Sequence, residues 1–364
     1  MKEEKWLRRL KRLRAVLARR KAAFLVLSPE NRRYLSGFPP EDVSLNESSG
    51  ALLITTKEAF LLTDPRYQEE AKECEPLFEP VIYRRGLWPE LARLRLKLGF
   101  KKLLFEEVYL SYAGYQALKK YLPEVALEGT KGLVERLRVV KDEEEIDLIK
   151  KSLEIAEEIL LEASRLILPG RTEREIAARI IELSYRLAEG PSFPPIVAAG
   201  PNSARPHAEP TEHRLKPREP VIIDMGVKYQ GYCSDITRSF CVGEPDTKFK
   251  EIYQLVLKAK EAAQKEIKAG VYARVPDLTA RGVFKEAGVE KHFWHSLGHG
   301  VGLAIHEAPA VSFRSRKKLR AGQVITVEPG LYFTDWGGVR LEDMVVVREG
   351  GAERLNRLGF LHFD

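Results

Sequence analysis

Apolar runs and helical periodicities alternate along the first third of the chain. Residues 23–28 and 50–62 are apolar runs typical of buried strands, and a shorter run at 102–105 follows a helical stretch at 91–98. Two further helical patterns lie at 64–74 and 111–121. Strands that alternate with helices in this way predict an α/β domain.

Glycine and polar residues at 128–132 predict a linker, and the pattern changes after it. Helical and strand-like segments now lie at 134–165, 172–187, 194–199, 220–242, 248–268, 275–287 and 322–348. Because helices and hairpins recur in two similar halves, we predict an α+β domain with internal pseudo-twofold symmetry. The predicted domains are therefore 1–130, of class α/β, and 131–364, of class α+β.

The chain length and composition agree with two domains. The 364 residues are 44% hydrophobic and 31% charged, which is typical of a globular protein and excludes a disordered chain. No apolar run reaches the roughly 18 residues of a membrane-spanning helix, and the first residues do not form a signal peptide. We therefore expect a cytoplasmic protein without a membrane partner.

The net charge of +7 is concentrated at the start of the chain. Residues 1–21 contain ten Lys and Arg but two Glu, together with an apolar stripe of Leu10, Leu13 and Leu17 at helical spacing. This pattern favours a surface helix with a solvated basic face. An arm that binds nucleic acid or an acidic membrane is the alternative, but we expect no nucleic-acid partner.

Two acidic residues lie in the apolar hairpin predicted at 220–242. If Gln230-Gly231 forms a two-residue turn, Asp224 faces Thr237 on the opposite strand. Asp235 then shares that face, because side chains alternate along a strand. The two carboxylates converge diagonally, about 7–8 Å apart at the backbone. In apolar surroundings such a pair requires a positive partner between its members.

The hairpin predicted at 322–348 carries two more acids, Glu328 and Glu342. A two-residue loop at Trp336-Gly337 would place them on opposite faces, whereas an odd loop or a bulge places them together. We predict the odd loop or bulge. Asp343 then points to the other face, where we expect an ordinary salt bridge.

His299 lies between the hairpins, with a glycine on each side of it. These glycines leave the imidazole unobstructed and permit a close approach of the backbone. Two aspartates, two glutamates and one histidine form an oxygen-rich set of ligands with one nitrogen. Four carboxylates exceed what one divalent ion requires, and they suit two ions roughly 3.5–4 Å apart.

The motifs that carry these residues resemble the "pita-bread" metallopeptidases, which include methionine aminopeptidase, aminopeptidase P and prolidase. They are Pro206-His207, IIDMGVKYQGYCSDITRSF, GHGVGLAIHEAP, VEPG and VRLEDM. The segments NRRYLSGF and TDPRY of the first domain resemble the creatinase/prolidase N-terminal domain, which methionine aminopeptidases lack. Creatinases share the fold but lack the five ligands, so the intact set argues against hydrolysis of creatine.

The resemblance implies a role for each residue of the site. The implied metal ligands are Asp224, Asp235, His299, Glu328 and Glu342. Glu328 is the implied proton shuttle, His207 and His306 would contact the substrate amide and the developing oxyanion, and Arg340 would pair with a ligand carboxylate. A carboxylate-rich site suits Mn²⁺, and the family also works with Co, Zn or Fe.

The activity that the resemblance implies is that of an Xaa-Pro dipeptidase, acting on small peptides with proline at the second position, in a homodimer. Aminopeptidase P, which acts on longer peptides, is the alternative. Dipeptidases of this group often carry an arginine after HEAP, where this chain has Ala310; Arg205, Arg314 and Arg316 are possible substitutes. A pita-bread module that binds without catalysis is the remote alternative, and such modules have typically lost ligands.

Overall fold

The computed structural model describes residues 2–42, 44 and 47–363. The chain divides into two compact units, Met1–Arg138 and Val139–Asp364. Within the described ranges, no helix is both long and apolar enough to cross a membrane. The two units are described separately below.

The first unit is a mixed sheet with helices, as predicted for an α/β domain. Its helices are α1 (Lys2–Arg20), α2 (Pro29–Ser36), α3 (Gln68–Lys72), α4 (Leu87–Leu98), α5 (Tyr112–Tyr121) and α6 (Glu135–Arg138). Its strands are β1 (Ala23–Val26), β2 (Ala51–Ile54), β3 (Ala59–Thr63), β4 (Glu79–Ile82), β5 (Lys102–Glu106) and β6 (Ala126–Thr130). In the described part of the chain they form one sheet of order β4-β3-β2-β1-β5-β6, in which β1 is parallel to β5 and antiparallel to β2.

Two local predictions in this unit are wrong. The run at 50–62 is not one strand, because the polar residues Thr55 to Glu58 form the turn of a β2–β3 hairpin, where the Thr55 N–H donates to the Glu58 carbonyl at 2.9 Å. The segment 128–132 is not a linker, since its first three residues belong to β6, which pairs with β5. Strand β6 lies at the edge of the sheet, where glycine and polar residues are tolerated.

Helix α1 packs as a surface helix. Leu10, Leu13 and Leu17 are buried, while Lys11 and Arg12 are exposed. The apolar stripe therefore covers the unit and the basic face points to solvent. This arrangement agrees with the interpretation that the sequence favours for residues 1–21.

The second unit combines four long helices with short strands, as predicted for an α+β domain. Its helices among the described residues are α7 (Glu143–Ser164), α8 (Glu173–Leu187), α9 (Thr247–Lys265) and α10 (Arg274–Glu286). Its strands are β7 (Ile196–Ala199), β8 (Pro220–Met225), β9 (Lys228–Tyr229), β10 (Tyr232–Cys233), β11 (Ile236–Cys241), β12 (Gly298–Gly300), β13 (Glu307–Val311), β14 (Val324–Val327), β15 (Gly330–Phe333), β16 (Gly337–Arg340), β17 (Asp343–Val347) and β18 (Ala352–Arg354).

The strands of this unit follow their helices in two similar halves. Helices α7 and α8 pack together and precede the sheet β11-β8-β7, whereas α9 and α10 pack together and precede the sheet β13-β12-β14-β17-β18. In the second half, Phe249 and Phe284 of the helices share a core with Ile325 and Val345 of the strands. This core fixes the strands whose ends carry Glu328 and Glu342.

The long helix predicted over 134–165 is interrupted before α7. The Asp142 side chain accepts from the Glu145 N–H at 3.0 Å, and the Glu145 carboxylate accepts from the Asp142 N–H at 3.0 Å. This capping box begins a new helix. Helix α8 begins in the same way with Thr172 and Glu175, as its sequence predicts.

Candidate metal centre

The first hairpin has the predicted register. Strands β8 and β11 pair antiparallel with Asp224 opposite Thr237, and Gln230 and Gly231 both have positive φ, at 48° and 81°, as a two-residue hairpin turn requires. A Cβ on Gly226 would lie 1.8 Å from the Ser234 carbonyl oxygen. Only glycine therefore permits the close approach of the chain segments that carry Asp224 and Asp235.

The second hairpin has the odd loop that we predicted. Val327 pairs with Asp343, and Gly330 pairs with Arg340 in the same register. Three residues, 334–336, connect Phe333 to Gly337. Because the register is continuous from one ladder to the next, Glu328 lies opposite Glu342.

The two hairpins bring three carboxylates into one group. Oxygens of Asp224, Asp235 and Glu342 lie within 4.8 Å of one another. His299 joins this group to Glu328, since its Nε2 lies 3.3 Å from Glu328 Oε1 and 3.5 Å from Asp235 Oδ2. All five predicted ligands therefore converge on one site.

The imidazole of His299 is oriented by the backbone. Its Nδ1 lies 3.1 Å from the Gly300 carbonyl oxygen, to which it donates, and this leaves Nε2 facing the carboxylates. A Cβ on Gly298 would lie 2.1 Å from the Thr326 carbonyl oxygen. The glycine before His299 thus permits β12 to approach β14, which precedes Glu328.

The site concentrates negative charge in a buried place. Burial, together with the neighbouring carboxylates, raises the pKa of Asp235 and of Glu342 well above the usual range. Burial also opposes ionisation of Glu328, but the hydrogen bond and charge of His299 outweigh it and lower the pKa of Glu328 to about 2. Such crowding is costly unless a cation compensates it.

The hydrogen bonds of the carboxylates leave oxygens for a cation. Arg340 Nη2 donates to Asp224 Oδ2 at 2.6 Å, and the single hydroxyl proton of Thr237 goes to Glu342 Oε2 at 2.7 Å. The other oxygens, Asp224 Oδ1 and Glu342 Oε1, are buried and have no hydrogen-bond partner among the described residues. Each carboxylate is thus oriented by one oxygen while the second stays available, so the residues present fit a divalent metal ion.

Arg340 orients Asp224 through a network that the sequence indicated only in part. Besides the Asp224 carboxylate, it donates to Tyr332 Oη at 2.8 Å and to the Pro206 carbonyl at 3.1 Å. Tyr332 Oη also lies 2.8 Å from His295 Nε2. Tyr332 was not among the predicted residues, because a tyrosine in an apolar strand gives no local signal. Burial lowers the pKa of His295 to about 4, so its ring is neutral and its Nε2 accepts from the Tyr332 hydroxyl.

Arg340→Lys is expected to reduce the affinity of the site for metal about 10- to 100-fold, as is typical when a partner of a ligand is lost. A lysine keeps the charge but cannot bridge Asp224, Tyr332 and Pro206 at once. Titration of the metal-free variant with Mn²⁺ measures the change. Arg316→Lys, at an exposed position, is the control; equal affinity in the two variants would contradict the orienting role.

A cavity of about 580 Å³ opens over the site. All eight predicted site residues line it: His207, Asp224, Asp235, His299, His306, Glu328, Arg340 and Glu342. One wall is apolar and includes Phe193, Pro195 and Ile305. The His306 ring lies 4.3 Å from the His299 ring, so it stands beside the carboxylates.

Arg340 is the only arginine in the described lining of this cavity, which contains no lysine. Ala310 lines it, but the possible substitutes for the missing arginine do not: Arg205 lines a neighbouring pocket, and Arg314 and Arg316 are exposed. Since Arg340 is engaged with Asp224, the described cavity offers no uncommitted arginine to a substrate carboxylate.

Two parts of the chain match known families. Residues 147–349 match metallopeptidase family M24, and residues 9–140 match the creatinase/prolidase N-terminal domain. The chain is 38% identical to an Xaa-Pro dipeptidase of Pyrococcus horikoshii over 336 residues, 92% of each chain. Among solved structures it is similar to an Xaa-Pro dipeptidase from Bacillus anthracis, with 37% identity, a TM-score of 0.91, and 98% and 99% of the two chains covered. It is also similar to an X-Pro aminopeptidase from Thermotoga maritima, with 37% identity, a TM-score of 0.85, and 93% and 96% covered.

Proposed function

This chain belongs to metallopeptidase family M24, and on that basis we propose that it is an Xaa-Pro dipeptidase, which hydrolyses the bond between an N-terminal residue and proline. The observation that carries the proposal is a pair of buried oxygens, Asp224 Oδ1 and Glu342 Oε1, that have no hydrogen-bond partner among the described residues and lie within a group of carboxylates that requires cations. Similarity to Xaa-Pro dipeptidases over nearly the whole chain supports the substrate class.

Two divalent ions per subunit are the proposed cofactors. The residues that would hold them are Asp224, Asp235, His299, Glu328 and Glu342. Carboxylates are hard ligands, and one imidazole among four of them suits Mn²⁺; Co, Zn and Fe are the alternatives. When bound, the ions polarise the scissile carbonyl and activate a water molecule.

Glu328 is the proposed proton shuttle. Its carboxylate lines the cavity beside the other proposed ligands, where it would accept a proton from the attacking water. The same proton is then given to the leaving proline nitrogen. His299 keeps Glu328 in place at 3.3 Å.

His207 and His306 are the proposed substrate contacts. Both line the cavity beside the carboxylates. Burial and the nearby His299 lower the pKa of His306, so its ring is neutral and offers one N–H to the developing oxyanion. His207 would bind the substrate amide. Arg340 would contact neither the substrate amide nor the oxyanion, because it holds the Asp224 carboxylate.

Aminopeptidase P is the second candidate function. The observation that favours it is the described lining of the cavity, where Ala310 takes the place of an arginine and Arg340 is engaged with Asp224. A dipeptidase benefits from a cation that binds the C-terminal carboxylate of its substrate. Longer peptides do not present that carboxylate at the same place.

Hydrolysis of Ala-Pro and Ala-Pro-Ala, measured side by side with Mn²⁺ and with EDTA, tests both proposals. We expect cleavage of Ala-Pro that EDTA abolishes. Additional cleavage of the tripeptide would favour an aminopeptidase P, and Ala-Ala is the control for the proline requirement. Failure on both proline peptides, although metal is bound, would contradict the proposed activity and leave the binding-module alternative.

The remaining expectations concern the setting of the enzyme. The homodimer, the cytoplasmic location and the absence of a nucleic-acid partner stay predictions. Sedimentation of the metal-loaded protein measures the first of them.

A further inference from the structure

The C-terminal tail, defined here as residues 355–363, is an extended segment without helix or strand. It is held in a fixed place by a buried acid of α7. Glu157, only 7% exposed, accepts from the backbone N–H groups of Arg357 at 2.9 Å and Leu358 at 3.0 Å. The tail is therefore bound to the unit through its own backbone.

Arg238 connects this tail to the metal centre. It is 3% exposed, and each of its five N–H groups has an acceptor. The acceptors are the carbonyl oxygens of Thr237, Glu342, Leu358 and Gly359 and the Asp343 carboxylate. One guanidinium thus bonds two tail residues and the backbone of a predicted metal ligand.

Phe360 of the tail packs against the Arg238 guanidinium. The Arg238 guanidinium lies 4.3 Å from the centre of its ring, the Lys260 ammonium 4.6 Å and the Arg354 guanidinium 5.2 Å. These three cations also bind Asp343, at 2.9, 2.5 and 2.7 Å. The cations are therefore fixed between a tail ring and the residue that follows Glu342.

We propose that Arg238 and the C-terminal tail position the metal ligand Glu342. Arg238 is a positioning residue, since it contacts the backbone of Glu342 and not the site itself. Among the described residues, the Glu342 side chain is held by Thr237 through Oε2 alone. The placement of Oε1 therefore depends on the Glu342 backbone, whose carbonyl accepts from Arg238 and whose N–H donates to the Thr237 carbonyl. This inference rests on the proposed metallopeptidase function.

Titration of the metal-free protein with Mn²⁺ tests the proposal. Arg238→Lys keeps the charge but not the five donors, and Phe360→Ala removes the tail ring. Both are expected to bind Mn²⁺ about 10- to 100-fold more weakly, and excess Mn²⁺ is expected to restore kcat on Ala-Pro. The control is Arg357→Gln, at a tail residue whose side chain is 78% exposed and whose guanidinium pairs with Glu154 at 2.7 Å.

The outcomes separate this inference from the proposed function. Wild-type protein that binds no Mn²⁺ would overturn both. If the wild type binds Mn²⁺ and both Arg238→Lys and Phe360→Ala bind it with the wild-type affinity, the inference alone is overturned. The tail is then a merely structural element. If Arg238→Lys does not fold, Phe360→Ala decides, because it keeps the Arg238 side chain and removes only the tail ring that packs against its guanidinium.

Discussion

Glu342→Gln is expected to reduce kcat on Ala-Pro by about 1,000-fold or more, which corresponds to the several kcal/mol that metal ions contribute to such reactions. The amide oxygen can still accept from Thr237, which holds Oε2 at 2.7 Å. The other oxygen, which has no partner among the described residues, becomes an NH₂ group that cannot bind a cation. The variant should therefore fold normally but bind less metal.

The same substitution is expected to raise the Tm of the protein in EDTA. Burial and the charges of Glu328 and Asp224 disfavour the ionised form of Glu342, so a neutral side chain relieves crowding when no metal compensates it. Thermal unfolding in EDTA and in Mn²⁺ measures both effects. Glu353→Gln, at a partly exposed ion pair on β18, is the control. A variant that keeps its activity, or loses stability in EDTA, would contradict the assignment of Glu342.

Asp343→Asn is expected to lower the free energy of unfolding by about 3–5 kcal/mol, although it lies next to Glu342. Asp343 is fully buried and binds three cations, Arg238, Lys260 and Arg354. Asparagine keeps the shape of the side chain but removes the charge that compensates them. Urea unfolding at neutral pH measures the loss.

A surface ion pair provides the comparison for Asp343. Glu143 is 70% exposed and pairs with Arg348 at 2.7 Å, so Glu143→Gln should cost less than about 1 kcal/mol. If the two variants unfold at the same urea concentration, the charge of Asp343 is not needed to stabilise the three cations, and the prediction is wrong. Asp343 and Glu342 thus illustrate two uses of a buried acid at neighbouring positions of the chain.

Local spacing was enough to predict the geometry of both hairpins. The Gln230-Gly231 turn determines that Asp224 faces Thr237, and the odd loop determines that Glu328 faces Glu342. In both cases the alternation of side chains along a strand converts a count of residues into a shared face. The shared face of the two acids in each hairpin therefore followed from spacing, whereas the convergence of both hairpins and His299 on one site was implied by the family resemblance.

Contacts between distant segments were not predictable in this way. Tyr332 bonds Arg340 and His295 from a strand whose pattern is simply apolar. Arg238 donates to the backbone carbonyls of tail residues more than a hundred positions away. The prediction of a single strand over 50–62 was wrong for a related reason, because four polar residues within an apolar run can be either exposed strand positions or a turn. Tertiary packing decides such cases.

The ladder on each side of the loop at 334–336 restricts how this hairpin can change in evolution. A residue inserted in a strand, between the loop and either ligand, would shift the pairing beyond it by one position and turn Glu328 and Glu342 to opposite faces. A residue inserted in the loop itself only lengthens the connection between Phe333 and Gly337. Functional descendants should therefore vary in the length of this surface turn but not in the number of residues between the turn and either ligand.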